Sequence, residues 1–274
     1  MLGGAPFNVA WHLQAFGASP FMVSKVGSDD EGAAVKNLMS DWGMDKGGLG
    51  VDPELATGRV RVQFEQNEPG YDIVHPSAWD TIGIPARLPR FSLLYHGSLA
   101  LRSPQSRRSC EALREKAAAD RATVFIDVNL RAPWWSGAEV LDSLKGADWV
   151  KMNDEELDVL STGSGGRELR AGRLLESFGL NGVLLTHGSQ GAVLMTAAGE
   201  RFETRPNPGI KVRDTVGAGD AMASVVILGL LHGWGLKQSL DRGQELASAI
   251  VCYRGATVPE SSFYRKYMRA WSLY

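Results

Sequence analysis

The sequence predicts an α/β fold in which helices cover both faces of a mostly parallel sheet. Two observations carry this. From Leu93 onward, short apolar runs alternate with amphipathic stretches, the rhythm of successive strand–helix–strand units. The apolar runs also end in polar or glycine residues, as they do where a ligand site is built beyond the carboxyl edge of an open sheet.

The elements follow in order. After the glycine pair Gly3-Gly4, a helix reads from about Asn8 to Phe16, with Val9, Leu13 and Phe16 on one face and Gly17 as its stop. Phe21–Gly27 reads as a strand. Asp30–Gly43 reads as a helix striped by Val35, Leu38, Met39 and Trp42. Gly58–Phe64 alternates strictly, Val60, Val62 and Phe64 against Arg59, Arg61 and Gln63, which is the pattern of a half-exposed antiparallel strand. A small β excursion between about Gly50 and Asp80 is too thin to bury its own core and is expected to act as a lid or an interface. Strands follow at Leu93–Tyr95, Thr123–Val128, Asp148–Met152 and Val183–Thr186, with helical stretches such as Ser106–Ala119 and Arg167–Phe178 between them. Ala192–Met195 and Arg201–Thr204 read as a hairpin. Ala218–His232, Leu236–Arg254 and Ser261–Trp271 read as three closing helices. No repeat, low-complexity tract or linker interrupts the pattern. One domain over residues 1–274 is expected, with the lid inserted at about 50–80.

Composition bounds the function. A chain of 274 residues, 44% apolar, can bury a core without covalent staples. Lys plus Arg is 29 against 31 for Asp plus Glu, so no broad field points to nucleic acid or an acidic membrane. The two cysteines, Cys110 and Cys252, make no disulfide framework, and a cytoplasmic location fits. The longest apolar run, Val225–Leu231, is far short of the ~20 residues of a membrane span. No basic leader with an apolar stretch opens the chain, so no export signal is expected.

Four predicted strands end in chemistry-bearing residues: Tyr95-His96-Gly97, Asp127-Val128-Asn129-Leu130-Arg131, Lys151-Met152-Asn153 running into Asp154-Glu155-Glu156, and Thr186-His187-Gly188. Turn chemistry explains any one of them; four at one edge favour a site. The sharpest segment is Asp214-Thr215-Val216-Gly217-Ala218-Gly219-Asp220, which runs directly into an apolar helix. A glycine turn at a helix N-terminus presents backbone N–H groups and the positive dipole end to an anion. Asp220, in the first turn, has two readings: an N-cap or first-turn charge, or an acceptor for the proton of an attacking hydroxyl.

The combination resembles the ribokinase-like carbohydrate kinases of the PfkB type. DTVGAGDA entering a helix is similar to that family's C-terminal signature, and GGAPFNVAWHLQAFG at Gly3–Gly17 to its N-terminal one. VGSDDEG at Val26–Gly32, DVNLRAPWW, KMNDEEL and LTHGSQGAVL stand in the family's order over essentially the whole chain, and within the family they look most like fructokinases. The resemblance implies a ribokinase-like three-layer sandwich with a small β lid, matching Gly58–Tyr71, and an ATP-dependent sugar kinase, most similar to those acting on fructose. It implies that Asp220 is the catalytic base and that Gly217, Ala218 and Gly219 form the anion hole. Arg131 would stand near the phosphates and substrate, and Gly4 and Asn8 would contact the sugar. Asn153 and Glu156 match the NxxE motif of the magnesium and triphosphate network, with Glu156 holding Mg²⁺ through water. Thr186, Gly188 and Gly191 match the nucleotide-binding strand and turn. Gly255 and Ala256 match the loop near the adenine and, in some members, a monovalent cation such as K⁺. The implied partners are a small sugar and ATP, with a homodimer through the lid.

Each residue also has a plainer reading. Asn8 could be an N-cap, Arg131 a surface ion pair, and Glu156 part of a solvated helix face beside Asp154 and Glu155. Trp134-Trp135 packs the core or walls the site. Met222 stands where an aromatic residue is usual in the family. The family carries a first strand ahead of the glycine pair, with an acidic residue on the sugar hydroxyls. That strand is expected to be absent, through a start upstream of residue 1 or a true shortening. The alternatives are therefore another acceptor (ribose, 2-keto-3-deoxygluconate or a nucleoside) or a catalytically silent binder of sugar or nucleotide. A dinucleotide-dependent oxidoreductase is disfavoured, because the glycine turn comes late in the chain and not after a first strand.

Overall fold

A computed structural model describes residues 2–65, 68–161 and 163–273. Its contacts divide the chain into two compact units. One comprises Met1–Ala18, Phe91–Leu99 and Arg114–Tyr274, and the other Ser19–Arg90 and Ala100–Leu113.

The first unit is built on a six-stranded sheet. Its strands are β5 (Leu93–Gly97), β6 (Thr123–Asp127), β7 (Trp149–Asn153), β8 (Gly182–Thr186), β9 (Ala192–Thr196) and β10 (Arg201–Thr204), in the order β10-β9-β8-β7-β6-β5. β5 to β8 run parallel, and β9 and β10 add an antiparallel hairpin at one edge. Two helical groups flank the sheet. α4 (Gly137–Leu144), α5 (Asp154–Leu160) and α6 (Arg167–Phe178) pack in chain order along β7 and β8. α1 (Ala5–Ala15), α7 (Ala218–His232) and α8 (Leu236–Ile250) pack on one another and reach β5, β9 and β10. α9 (Ser261–Trp271) closes the chain, its ring of Tyr264 in contact with Phe16.

Side chains alternate across a strand, so each inner strand serves two faces. Val124 and Ile126 of β6, Val150 and Met152 of β7, and Val183 and Leu185 of β8 share one core with Val140, Leu144, Leu157, Ala171 and Leu175 of the α4–α6 group. Asp127 and Lys151 stand at the intervening positions, on the opposite face. That face belongs to the α1–α7–α8 group, whose α7 is buried without a break from Ala221 to Gly229.

The second unit holds two small sheets. β1 (Ser24–Gly27) pairs in parallel with β2 (Leu49–Asp52), and β3 (Val60–Glu65) pairs antiparallel with β4 (Glu68–Ile73). α2 (Asp30–Asp41) is capped by Asp29, whose carboxylate also accepts the Thr57 hydroxyl. Lys25 and Thr81 donate to Asp52, and Arg102 grips both oxygens of the buried Asp80 while lying over the Trp79 ring. α3 (Pro104–Asp120) contributes its first part to this unit and its last part to the other.

Several boundaries differ from the sequence expectation. α1 starts three residues early, because Gly4 is its N-cap and a proline falls within its first turn, where a missing N–H costs nothing. β5 runs on through His96 and Gly97, which pair with Ile126 and Asp127. The strand expected from Phe21 is confined to Ser24–Gly27, with Phe21 making a lone bridge to Asp45. The helix expected to reach Arg254 ends at Ile250, and the residues beyond turn back toward the start of α7. β2, β4, α4 and α5 were not anticipated. The facing of Val62, Gln63 and Phe64 expected from the alternation concerns side chains outside those described.

Candidate active site

The site begins at the turn that opens α7. Gly217 is the N-cap, at φ +85°, and a methyl group there would meet Cα of Ala256 at 2.5 Å. Only glycine satisfies both demands. Asp214 ties the same turn to the 255 loop, accepting the Val216 N–H at 3.0 Å on one oxygen and the Gly255 N–H at 2.8 Å on the other. Those backbone N–H groups hold its carboxyl below the ordinary value.

Asp220 follows in the first turn of α7, and no side chain caps that helix. Its Oδ2 instead accepts Nδ2 of Asn8, from α1, at 2.7 Å. The cap reading of Asp220 therefore gives way, and so does that of Asn8, because Gly4 occupies the N-cap of α1. Asn8 is 4% exposed, and its other amide atom, Oδ1, is buried without a partner. The amide orientation is fixed by the bond, since the carboxylate can only accept. Burial pushes the Asp220 carboxyl up to about 6; Asp127 adds to this, while Lys151, Asn8 and Arg131 pull it back.

A buried ion pair lies under the turn. Lys151 of β7 donates to both oxygens of Asp127 of β6, at 2.8 and 2.9 Å, and Asp127 is 0% exposed. The Tyr95 hydroxyl of β5 donates to Asp127 Oδ2 at 3.2 Å. A methyl group at Gly219 would stand 3.2 Å from Lys151 Nζ, so the lysine packs directly beneath that glycine. Sequence reading noted Asp127 and Lys151 as polar strand ends and gave them no role. The available signal was an Asp and a Lys at same-face positions of two neighbouring, otherwise apolar strands.

Arg131 lies beyond the end of β6, exposed, with Nη1 on the Leu130 carbonyl at 2.7 Å and no ion pair of its own among the described residues. The surface ion-pair reading is thus not what the structure contains. Glu156 is not on a solvated face either. It is 5% exposed, and its carboxylate accepts the Leu130 N–H at 2.9 Å and the Asn153 N–H at 2.8 Å. Asn153 Oδ1 accepts the Glu156 N–H in return, which completes a capping box at α5. Burial raises the Glu156 carboxyl, with Lys151 opposing. No group of three acidic, His or Cys side chains among the described residues could enclose a metal. A water-held Mg²⁺ on a nucleotide asks for less, and each Glu156 oxygen keeps a lone pair beyond its backbone bond. The residues fit that form of binding.

The remaining predicted residues fall in two places. Ala256 sits against Gly217, and Gly255 is tied to the same turn through Asp214. There His12 of α1 meets the Ala256 carbonyl with Nε2 at 3.1 Å and the Tyr264 hydroxyl with Nδ1 at 3.0 Å, which fits a neutral imidazole protonated on Nε2. Thr186 ends β8 opposite Asn153, and Gly188 and Gly191 bound the turn into β9. No hydrogen bond or ion pair among the described residues joins these three to Asp220. Beside them a groove of about 790 Å³ is lined by His187, Ser189, Gln190, Arg167 and Arg201, apart from the Asp220 constellation. Gly4 reaches the site only through the backbone of α1, its carbonyl accepting the Asn8 N–H at 2.9 Å.

The chain is similar to several known proteins. Aminoimidazole riboside kinase of Salmonella typhimurium is 31% identical over 270 residues, covering 93% of this chain and 83% of that one. A probable chloroplastic fructokinase of Arabidopsis thaliana is 28% identical over 89% of this chain and 66% of its own length. Among solved structures, the Vibrio cholerae fructokinase bound to fructose, ADP and calcium superposes with a TM-score of 0.84 at 25% identity, over 96% of this chain and 90% of that one. The fold is therefore ribokinase-like. Residues 1–262 match the profile described as pfkB family carbohydrate kinase, and the chain belongs to that family of phosphotransferases with an alcohol acceptor.

Proposed function

We propose that this kinase transfers the γ-phosphate of ATP to a hydroxyl of fructose, with Asp220 as the general base. One observation carries the reading: a half-buried carboxyl, its proton affinity raised to about 6, directly follows the glycine turn whose amides open α7. Asn8 occupies Oδ2, which leaves Oδ1 to take the proton of the attacking hydroxyl. The unpaired Asn8 Oδ1 is a buried acceptor beside it, suited to a second sugar hydroxyl. The Gly217-Ala218-Gly219 amides and the exposed Arg131 supply positive character for the transferred phosphoryl group, since such a transfer depends on positioning and charge neutralisation. Mg²⁺ on the triphosphate would neutralise its oxygens, with Glu156 holding the ion through water. Asn153, Thr186, Gly188, Gly191 and Gly255 are the proposed nucleotide residues.

Among acceptors, the riboside named for the Salmonella relative is the rival to fructose. A panel of fructose, ribose, 2-keto-3-deoxygluconate and nucleosides, read by ADP release, separates them. Turnover fastest on fructose supports the proposal. Thermal stabilisation by sugar or nucleotide with no ADP formed would establish a silent binder instead. In the same assay Asp220→Asn is expected to lose turnover, by about 10²-fold or more, while still binding ATP. Turnover like the parent's would remove Asp220 from the role of base.

A further inference from the structure

Asp220 is not the only charged group at the α7 turn. Lys151 lies beneath the adjacent Gly219, close enough that a Cβ there would touch its ammonium at 3.2 Å. It nevertheless makes no hydrogen bond to Asp220, and among the described residues Asp127 takes its hydrogen bonds, on both oxygens. An ammonium so close to a general base is hazardous. Paired with it directly, the ammonium would hold the base as a carboxylate reluctant to accept a proton. We propose that Asp127 and Lys151 form a positioning pair for Asp220, in which Asp127 binds the Lys151 ammonium with both carboxylate oxygens and so keeps it from ion-pairing with the base. The proposal rests on Asp220 being the base, and extends it to two residues that act through Asp220.

Three features support it. The pair lies on the sheet face that carries α7, in register on neighbouring strands: Asp127 is the Cα partner of Lys151. Tyr95 adds a hydroxyl to Asp127, which fixes the carboxylate on the lysine side of the cluster. The electrostatics agree: around Asp220, Asp127 raises its proton affinity while Lys151 and Arg131 lower it, and Asn8 bonds the charged form. These, with Tyr95 from β5, are the titratable and polar groups that face the carboxyl from α1, β5, β6, β7 and the loop after β6.

The test follows the carboxyl itself, so it needs no knowledge of the acceptor. The full chain labelled with ¹³C at aspartate carboxyls is titrated by NMR, and the Asp220 signal is assigned by its loss in Asp220→Asn. Asp127→Asn releases Lys151, and the Asp220 midpoint is expected to fall by about one pH unit or more. Adding Lys151→Met to that variant removes the cation, and the midpoint is expected to rise again. Lys151→Met alone leaves two carboxyls sharing one buried site, and the last of them to ionise should do so above the parent midpoint. The double variant carries no buried charge from the pair, so it remains a folded reference should a single one fail. Midpoints unmoved by Asp127→Asn, or equal in Asp127→Asn and the double variant, overturn the proposal. In a folded Asp127→Asn variant, an Asp220 midpoint that rises overturns it too. Loss of turnover in Asp220→Asn with unmoved midpoints removes the pair and spares the base. Turnover retained in Asp220→Asn removes the base itself.

Discussion

Asp220 is a carboxyl whose ionisation its own surroundings oppose, and the cost appears in stability as well as in rate. Its proton affinity is raised in the folded state, to about 6 from the ordinary 3.8. Above pH 6 the folded protein carries the strain of a buried carboxylate; between about 6 and 4 it takes up a proton that the unfolded chain does not, and stability rises as pH falls. A neutral amide should relieve that strain. Asp220→Asn is expected to be more stable than the parent at pH 8 by about 2–3 kcal/mol and to match it near pH 4, measured by urea unfolding at the two values. The rate has the opposite slope. On the proposal that Asp220 is the base and must be ionised, kcat/KM should climb with pH to a midpoint near 6 and stay level above it. Lys151 and Asp127 belong to the same scale. Lys151→Met leaves the Asp127 carboxylate buried without its cation, and denaturant unfolding should register a loss of about 3–5 kcal/mol; Asp127→Asn, whose released ammonium can turn to Asp220, should lose less, as should the double neutral variant.

At the scale of elements, the site is a set of terminations. The start of α7 supplies the glycine turn, the start of α5 the capping box, the end of β6 Arg131, and the body of α1 Asn8. Gly217→Ala puts a side chain at φ +85° and against Ala256, so it should cost about 1–3 kcal/mol in backbone strain and lower turnover together with stability. Gly219→Ala meets only the flexible end of Lys151, and its loss in stability should stay under about 1 kcal/mol. Glu156→Gln keeps one acceptor and turns its amide N–H toward the other backbone N–H, so it should lose stability as well as Glu156→Ala, which removes both bonds and should lose about 2 kcal/mol in thermal unfolding. This scale is also where the sequence was most readable. The bounds of α6, α7 and α9 follow directly from apolar periodicity and from glycine at the ends of α6 and α7. α5 was hidden because its acidic first turn reads as a charged loop until Glu156 is seen folded back onto Asn153. The glycine turn was legible as a backbone feature, but a glycine turn before a helix is by itself a weak signal, and the role expected of Asp220 came from the resemblance. The Asp127–Lys151 pair was not, because pairing between strands is fixed by register, which a single strand's sequence does not state. The link from Asn8 to Asp220 was likewise invisible as a contact, since it spans 212 positions.

For the whole molecule, acidity enters through two buried histidines. His12 and His96 are each lowered to about 4 by burial, so both are neutral in the folded protein at pH 7. A depressed histidine contributes its full share above about 6.5 and loses it as pH falls toward 4. Each is worth about 3 kcal/mol over that window, opposed by the raised carboxyls of Asp220 and Glu156. The Tm should therefore be level from pH 8 to 7 and decline between 6.5 and 4. His96→Leu, which replaces a ring whose Nε2 has no partner, should flatten part of that decline.

The hydrogen bond between Asn8 and Asp220 has a consequence in time. α1 is synthesised some two hundred residues before α7, and until α7 emerges its apolar side chains Phe7, Val9, Trp11 and Leu13, all buried in the finished protein, lack the helix they pack against. A nascent chain is thus obliged to keep an adhesive segment waiting through most of translation. Ribosome-stalled lengths ending before α7 should remain protease-sensitive at α1 and chemically inert, and the capacity to phosphorylate should switch on only with the last helices.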